Sequence, residues 1–314
     1  MTSRRMAAPT NSTLFASLIG QTAQGCWLGY GNCLFLEFGQ SQPPGPRETH
    51  PRGEWGLWCD QIEWRIELGD RVIAGSEDDR STMEAGIYEI NGKSFLSGEI
   101  SPSGDSTLTF SDSLILRTFV ITTEEDASWN LRDQKGDSSS FGPDRSSSTS
   151  AQSGAEVTRG TDRLQQLSGF LWNSKVWRAA VDVQHRFEDG YEPSDLDSVR
   201  LDFRCVLPKP TSKVGHRQIG SLQIDPNTSG LRLERSDKII AACGDSSEKV
   251  LTEFRQLVGK TLLRIDVARP GGDTDFVLED GLLLRCFPAT SKTGEVWRIC
   301  SAENGRIGAG IGAA

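Results

Sequence analysis

Short runs in which apolar and polar residues alternate recur along the chain, and this alternation is the pattern of half-buried β-strands. Residues 64–68 alternate in this way, and residues 34–38 have the strand spacing that places Leu34, Leu36 and Phe38 on one face. Turn-forming residues separate many of these runs, which favours hairpins. The pattern therefore predicts a chain made mainly of antiparallel strands.

One stretch has the spacing of a helix. Met83, Ile87 and Ile90 lie four and then three residues apart, so they would form one apolar stripe. Ser81 and Glu84 have the spacing of a capping box, which predicts the start of the helix. We expect a short helix that packs this stripe against a sheet.

The same pattern occurs twice along the chain. Residues 83–131 and 250–299 carry matching residues in the same order, and residues 65–74 match residues 232–241. Matched positions include Gly92 with Gly259, Asp112 with Asp280, Arg117 with Arg285, Phe119 with Phe287, Thr122 with Thr290 and Trp129 with Trp297. Such an ordered series at a near-constant offset indicates an internal duplication.

The repeat predicts the domain organisation. We expect an α+β fold of two homologous units, each a mainly antiparallel β-sheet with one packed helix. The units would span residues 13–132 and 163–302. Residues 133–162 are rich in Ser, Gly, Asp and Thr and cannot bury much apolar surface, so we expect a flexible linker. Residues 303–314 are expected to form a flexible tail.

The charge balance bears on the partner. The chain has a formal net charge of −9 and no dense run of Lys and Arg. Because an acidic surface repels the phosphate backbone, we expect no direct nucleic-acid binding. Acidity suits a basic protein partner, although it also serves solubility alone. No run reaches the roughly 18 apolar residues of a membrane span, so no membrane association is expected.

Cysteine usage bears on the compartment. The seven cysteines are scattered and include no C-x-x-C pair. An odd number without paired spacing indicates neither a disulfide framework nor a zinc site. We therefore expect a reducing compartment and a cytoplasmic protein.

No catalytic motif is visible in the sequence. His50, His185 and His216 stand apart from one another, and the chain has no G-x-S-x-G elbow, P-loop or strand-linked G-x-G-x-x-G segment. We predict no catalytic residue, no cofactor and no metal site. The alternative is a hydrolytic enzyme with a site between the two units, in which Asp or Glu acts with His185 or His216.

A charged run precedes the helix. Residues 77–80 read Glu-Asp-Asp-Arg, which would contact a cation or a basic partner, or would place negative charge at the start of the helix. Gly244–Asp245 occupies the matching place in the second unit, and this favours the helix interpretation.

Aromatic residues crowd the first unit before its helix. The second unit has Leu222 opposite Trp55 and Leu231 opposite Trp64, so the fold needs only an apolar side chain there. Surplus Trp and Tyr often anchor interfaces, although core packing is the competing interpretation for each of them. A further alternative uses the tryptophans as stacking platforms for a carbohydrate or small ligand. The predicted partner-binding set is Trp27, Tyr30, Glu54, Trp55, Trp58, Asp60 and Glu63.

Three segments carry a family resemblance: L-G-Y-G-N-C-L-F-L-E-F-G, G-E-W-G-L-W and W-R-I-E-L-G-D-R-V-I-A-G-S-E-D-D. With them, residues 15–131, and more weakly residues 164–299, resemble uncharacterised bacterial domains found singly or in tandem beside toxin or phage-defence genes. The resemblance implies a non-enzymatic immunity-type inhibitor or an accessory subunit of a defence complex. Its partner would be a protein, such as a toxin, a nuclease or another subunit of the complex.

Overall fold

The computed structural model describes residues 15–44, 49–60, 62–123, 128–141, 175–185, 194–205, 217–224, 229–268, 270–292, 297–301 and 305–309. We call residues 15–141 the first half and residues 175–309 the second half. Strands dominate both halves, and neighbouring strands pair antiparallel throughout the described residues. The described part of each half contains one α-helix. The predicted β-rich fold with packed helices is therefore confirmed.

The strands and helices follow one another along the chain as follows. The first half contains β1 (Ala23–Leu28), β2 (Leu34–Phe38), β3 (Trp55–Asp60), β4 (Ile62–Leu68), β5 (Arg71–Gly75), α1 (Arg80–Tyr88), β6 (Phe95–Ile100), β7 (Ser106–Phe110), β8 (Leu114–Val120), β9 (Ser128–Arg132) and β10 (Ser138–Phe141). The second half contains β11 (Lys175–His185), β12 (Ser194–Cys205), β13 (Arg217–Ile224), β14 (Ser229–Arg235), β15 (Lys238–Ala242), α2 (Ser247–Phe254), β16 (Leu262–Val267), β17 (Thr274–Leu278), β18 (Leu282–Pro288), β19 (Trp297–Ser301) and β20 (Gly305–Ala309).

The strands form four five-stranded sheets among the described residues. The sheets of the first half have the orders β1-β2-β3-β9-β10 and β5-β4-β8-β7-β6. Those of the second half have the orders β11-β12-β13-β19-β20 and β15-β14-β18-β17-β16. Adding ten to each strand number of the first half gives the orders of the second half, so the two halves share one strand order.

Each half buries one apolar core between its two sheets and its helix. In the first half the core includes the helix stripe of Met83, Ile87 and Ile90 that the sequence predicts. A buried tryptophan anchors each core, since the Nε1–H of Trp129 donates to Ser106 Oγ at 2.9 Å. In the second half, the Nε1–H of Trp297 donates to Thr274 Oγ1 at 2.8 Å.

Tight turns join the hairpins where the sequence predicts them. Asp112 and Ser113 both have positive φ, and so do Ser236 and Asp237 and the pair Asp280–Gly281. Two successive residues with positive φ make the turn whose twist matches that of the flanking strands.

The predicted capping box is wrong. Helix α1 begins at Arg80, and its N-cap is Asp79, whose carboxylate accepts the backbone N–H of Thr82 at 3.1 Å. Glu84 instead pairs with Arg80 one turn away on the helix surface. Asp79, and not Ser81, is the N-cap because its carboxylate accepts a free N–H group of the first turn.

Two segments that we expected to be flexible contain strands. Residues 138–141 fall in the predicted linker but form β10, which pairs with β9 at the edge of its sheet. Residues 305–309 fall in the predicted tail but form β20 beside β19. Both use backbone hydrogen bonds, which a side-chain pattern rich in Ser or Gly does not reveal. Residues 142–162 of the predicted linker lie outside the described residues.

The outer faces of the sheets that contain β4 and β14 contact each other. Phe119 of the first half stacks on Phe287 of the second half, with ring centroids 4.6 Å apart.

Among the described helices, none is long and apolar enough to cross a bilayer.

Candidate functional site

A line of aromatic residues crosses the outer face of the first sheet. Strand pairing sets Trp27 of β1 opposite Phe35 of β2, and Phe35 opposite Trp58 of β3. The alternate residues of β2, Leu34 and Leu36, are fully buried in the core. Because side chains alternate along a strand, the three aromatic rings lie on the face turned away from the core.

The rings stack on one another. Trp27 and Phe35 have centroids 5.4 Å apart and planes within 2°, and Phe35 and Trp58 have centroids 6.3 Å apart. His50, from the loop between β2 and β3, also stacks on Trp27, with ring centroids 4.5 Å apart. We call these four residues the aromatic row. All three rings on the strands are partly exposed, and His50 is exposed.

Gly29, which follows β1, leaves the space that the Phe35 ring occupies. A Cβ atom added at Gly29 would lie 2.7 Å from the Phe35 ring, so Phe35 occupies space that only a glycine leaves free. The same atom added at Gly25, on β1, would have its nearest contact at 3.7 Å, with Trp27. Gly29 is therefore needed for the position of Phe35, and Gly25 is not.

A buried ion pair anchors the loop that carries His50. The Glu37 carboxylate accepts the backbone N–H of Gly53 at 2.8 Å and a hydrogen bond from the Arg132 guanidinium. Burial raises the pKa of Glu37 above its ordinary range, although both partners favour the charged form. The loop is thus held against the face that carries the row.

Tyr30 projects from the turn between β1 and β2. Its side chain is 99% exposed. Arg80 at the start of α1 donates to the carbonyl oxygens of Leu28, Gly29 and Gly31 in this turn, at 3.0–3.1 Å. The turn is therefore tied to the helix, and it presents Tyr30 on a rigid support next to the sheet that carries the row.

The stacking decides what the row offers to a ligand. Trp27 and Phe35 each stack on two neighbouring rings, which leaves less of their faces than of their edges for a ligand. Ring edges carry partial positive charge. Within the described part of the chain, the indole N–H groups of Trp27 and Trp58 have no acceptor and are not sealed from solvent. The row is therefore an apolar strip with positive edges and two free donors.

The other predicted site residues lie elsewhere. Trp55 faces the opposite side of β3 and packs against the core, where its Nε1–H is buried without a partner among the described residues. The Glu54 carboxylate accepts the backbone N–H of Gln40 at 3.1 Å. Asp60 is the last residue of β3, and its side chain lies outside the described residues.

Glu63 is buried on β4, in the region between the two halves, where it accepts a hydrogen bond from Ser76 Oγ. Of the predicted set, the structure therefore brings Trp27 and Trp58 into one row and leaves Tyr30 at the tip of the adjoining hairpin. Whether these residues bind a partner stays a prediction.

The sequence interpretation missed Phe35 and His50. Phe35 stands between Leu34 and Leu36, at the position where an alternating strand normally has a polar residue, and this was the available signal. His50 reaches the row through a loop, for which sequence spacing gives no signal.

The second half has no aromatic row at the corresponding positions. Its strand pairing sets Ala180 opposite Arg200 and Arg200 opposite Gln223. These three residues take the places of Trp27, Phe35 and Trp58. The same pairing sets Gly220, and not Leu222, at the place of Trp55, which corrects the alignment drawn from the sequence.

The described residues contain no cluster of three His, Cys, Asp or Glu side chains that would hold a metal ion. His185 is the last residue of β11, and His216 lies outside the described residues.

No protein-family model matches the chain, and no curated protein or solved structure is similar enough to count as a match.

Proposed function

We propose that the chain is a non-enzymatic binding protein that engages a protein partner through the aromatic row and Tyr30. The observation that carries this proposal is the difference between the halves. The same strand order and pairing accommodate Ala180, Arg200 and Gln223 in the second half. Three large aromatic side chains on the outer face of the first sheet are therefore not required by the fold.

The geometry of the row favours a protein partner over a carbohydrate. Sugars bind to aromatic platforms through the ring faces, and the two central rings of this row, Trp27 and Phe35, each stack on two neighbouring rings. Exposed ring edges and free indole N–H donors instead complement carbonyl and carboxylate oxygens beside apolar side chains. The partner we infer is a folded protein that presents such a surface.

The second half serves as a structural copy in this proposal. The two halves share a strand order and also an irregularity at the same place, between Ala23 and Gly25 in β1 and between Val176 and Arg178 in β11. These likenesses, together with the matching sequence positions, support two homologous units. One unit would then have acquired the binding surface, and the other would support it.

The biological role follows from the resemblance of the first unit to bacterial immunity and defence domains. In that role the protein is a cytoplasmic inhibitor or accessory subunit that acts by occupying its partner. A toxin, a nuclease or a subunit of a defence complex is the partner class. No catalytic step is part of this proposal.

A comparative capture experiment tests it. The row variant W27A/F35R/W58Q carries the residues of the second half and should keep the fold. The control Y88A removes an aromatic side chain that is 73% exposed on α1, away from the row. Proteins retained by wild type and Y88A but lost with the row variant are candidates for direct binding with purified components. Identical protein sets for all three, or binding of the wild type to a glycan panel, would contradict the proposal.

A further inference from the structure

The two halves contact each other through reciprocal ion pairs. Arg65 of the first half forms a two-pronged ion pair with Asp273 of the second half, with one of its hydrogen bonds at 2.9 Å. Arg232 of the second half forms the same two-pronged pair with Asp105 of the first half. Arg65 and Arg232 are matching positions in the sequence repeat, and so are Asp105 and Asp273.

A second set of contacts is reciprocal as well. The Asp78 carboxylate accepts the backbone N–H of Ser291 at 2.9 Å. The Asp245 carboxylate accepts the backbone N–H of Thr123 at 2.8 Å. The charged run before α1 therefore does more than cap a helix, because one of its members joins the halves.

Backbone hydrogen bonds between the halves also occur as reciprocal pairs of matching positions. The N–H of Glu77 donates to the carbonyl of Ala289 at 2.9 Å, and the N–H of Gly244 donates to the carbonyl of Ile121 at 2.7 Å. At the centre, Phe119 stacks on Phe287, its own counterpart in the repeat. Each arginine also lies 5.0 Å above the phenylalanine of its own half.

Contacts in which position i meets j and position j meets i define a two-fold, self-complementary interface. We propose that the surface between the halves is such an interface, and that Glu63, at the position where the second half has Gly230, restricts it to pairing between a first half and a second half. This surface is separate from the aromatic row, so its test is independent of the proposed function.

Burial makes each half dependent on the other. The exposed fractions of Arg65 and Arg232 are 1% and 0%. Each guanidinium keeps a glutamate of its own half but takes its aspartate from the other half. A separated half would lose the aspartate partner of its arginine and would uncover its phenylalanine. The halves should therefore stay together when the chain between them is cut.

The symmetry is broken beside the central stack. Glu63 pairs with Phe119 across β4 and β8, and Gly230 holds the matching place beside Phe287. A Cβ atom added at Gly230 would collide with the Phe287 ring and approach Ile121. Gly230 thus leaves the space that the Phe287 ring fills, whereas the first half has a glutamate at the matching place.

The asymmetry sets the pairing preference. A pair of two first halves would bury two Glu63 side chains beside the stack. Neither half would then have a glycine over which a phenylalanine ring could lie. The mixed pair buries one carboxylate beside the stack and has a glycine beneath one of the two rings, so close packing and the cost of burying carboxylates favour it over a pair of two first halves.

The test uses the full chain with a protease site inserted between residues 155 and 156, cut after folding. Native mass spectrometry of the cut protein should show only complexes of one first and one second half, and this should persist after incubation with an isotope-labelled sample. The variant E63G should add a species with the mass of two first halves. The control E99G changes an exposed glutamate on β6 and should add none.

Separation of the cut halves, or pairs of two first halves in the wild type, would overturn the proposal. An E63G sample that forms only mixed pairs would overturn the role of Glu63. If E63G lowers the folded fraction, E63A removes the same carboxylate with less backbone freedom and is measured in the same way.

Discussion

Trp27 lies directly across from Phe35 on the outer face of the first sheet, with ring planes within 2° of each other. The same pairing in the second half joins Ala180 to Arg200. One backbone arrangement therefore carries different residues at these paired positions, and only the first half has aromatic residues there. This difference supports a binding role for the first half. Contacts between the two halves hold them together.

Gly29→Ala should disturb the row without unfolding the protein. The added methyl group would lie 2.7 Å from the Phe35 ring, so the ring must move and its stacking with Trp27 must change. We expect a reduced near-ultraviolet circular dichroism signal from the tryptophans and weaker partner binding. The matched control is Gly25→Ala on β1, where the nearest contact is 3.7 Å. Equal spectra for the two variants would show that Gly29 does not position the row.

Asp105→Asn should destabilise the protein strongly. Arg232 is fully buried, and removing the charge of its partner leaves an under-compensated buried guanidinium, at a cost of about 3 kcal/mol. The control Asp112→Asn removes a carboxylate that pairs with Lys93 at an exposed position, and should cost less than about 1 kcal/mol. Urea denaturation measures both. Similar costs for the two variants would mean that the arginine networks do not hold the halves together.

Glu63→Gln should change how stability depends on pH. Burial raises the pKa of Glu63, although its hydrogen bonds to Ser76 and Glu77 oppose this. Because the folded protein then holds this proton more tightly than the unfolded chain, the free energy of unfolding falls as pH rises above about 4.3 toward the raised pKa.

Glutamine has no proton to lose, so the stability of E63Q relative to wild type should increase over that pH range. Urea denaturation at several pH values between 4 and 8 measures this difference, with the exposed Glu89→Gln as control. Parallel curves for wild type and E63Q would contradict the assignment. The lowered pKa of Asp105 acts in the opposite direction, because its contribution is lost as pH falls through the folded pKa, below about 3.9.

Local patterns in the sequence predicted much of the fold. Alternation at Leu34, Leu36 and Phe38 identified a strand with one buried face, and the stripe of Met83 and Ile87 identified the buried face of α1. Turn positions such as Asp112 were predictable because few residues adopt positive φ. These features depend on residues that are close together in the chain.

Features that depend on distant residues were not predictable. Asp78 looked like helix-terminal charge, yet it contacts Ser291 in the other half. Glu63 looked like part of an acidic surface, yet it is buried. Trp55 and Trp58 are close in sequence but point to opposite faces of β3, because side chains alternate along a strand. The sequence did not show which of the two faces the core, since that depends on the register of the strand in the sheet.

The affinity of the row variant for the partner shows whether the aromatic row is the binding surface. Titration calorimetry with a captured, purified partner should give a dissociation constant for W27A/F35R/W58Q at least about 30-fold weaker than for the wild type, which corresponds to the loss of one interface hot spot. The Y88A control should bind like the wild type. Equal affinities for the wild type and the row variant, with the fold of the variant intact, would contradict the account.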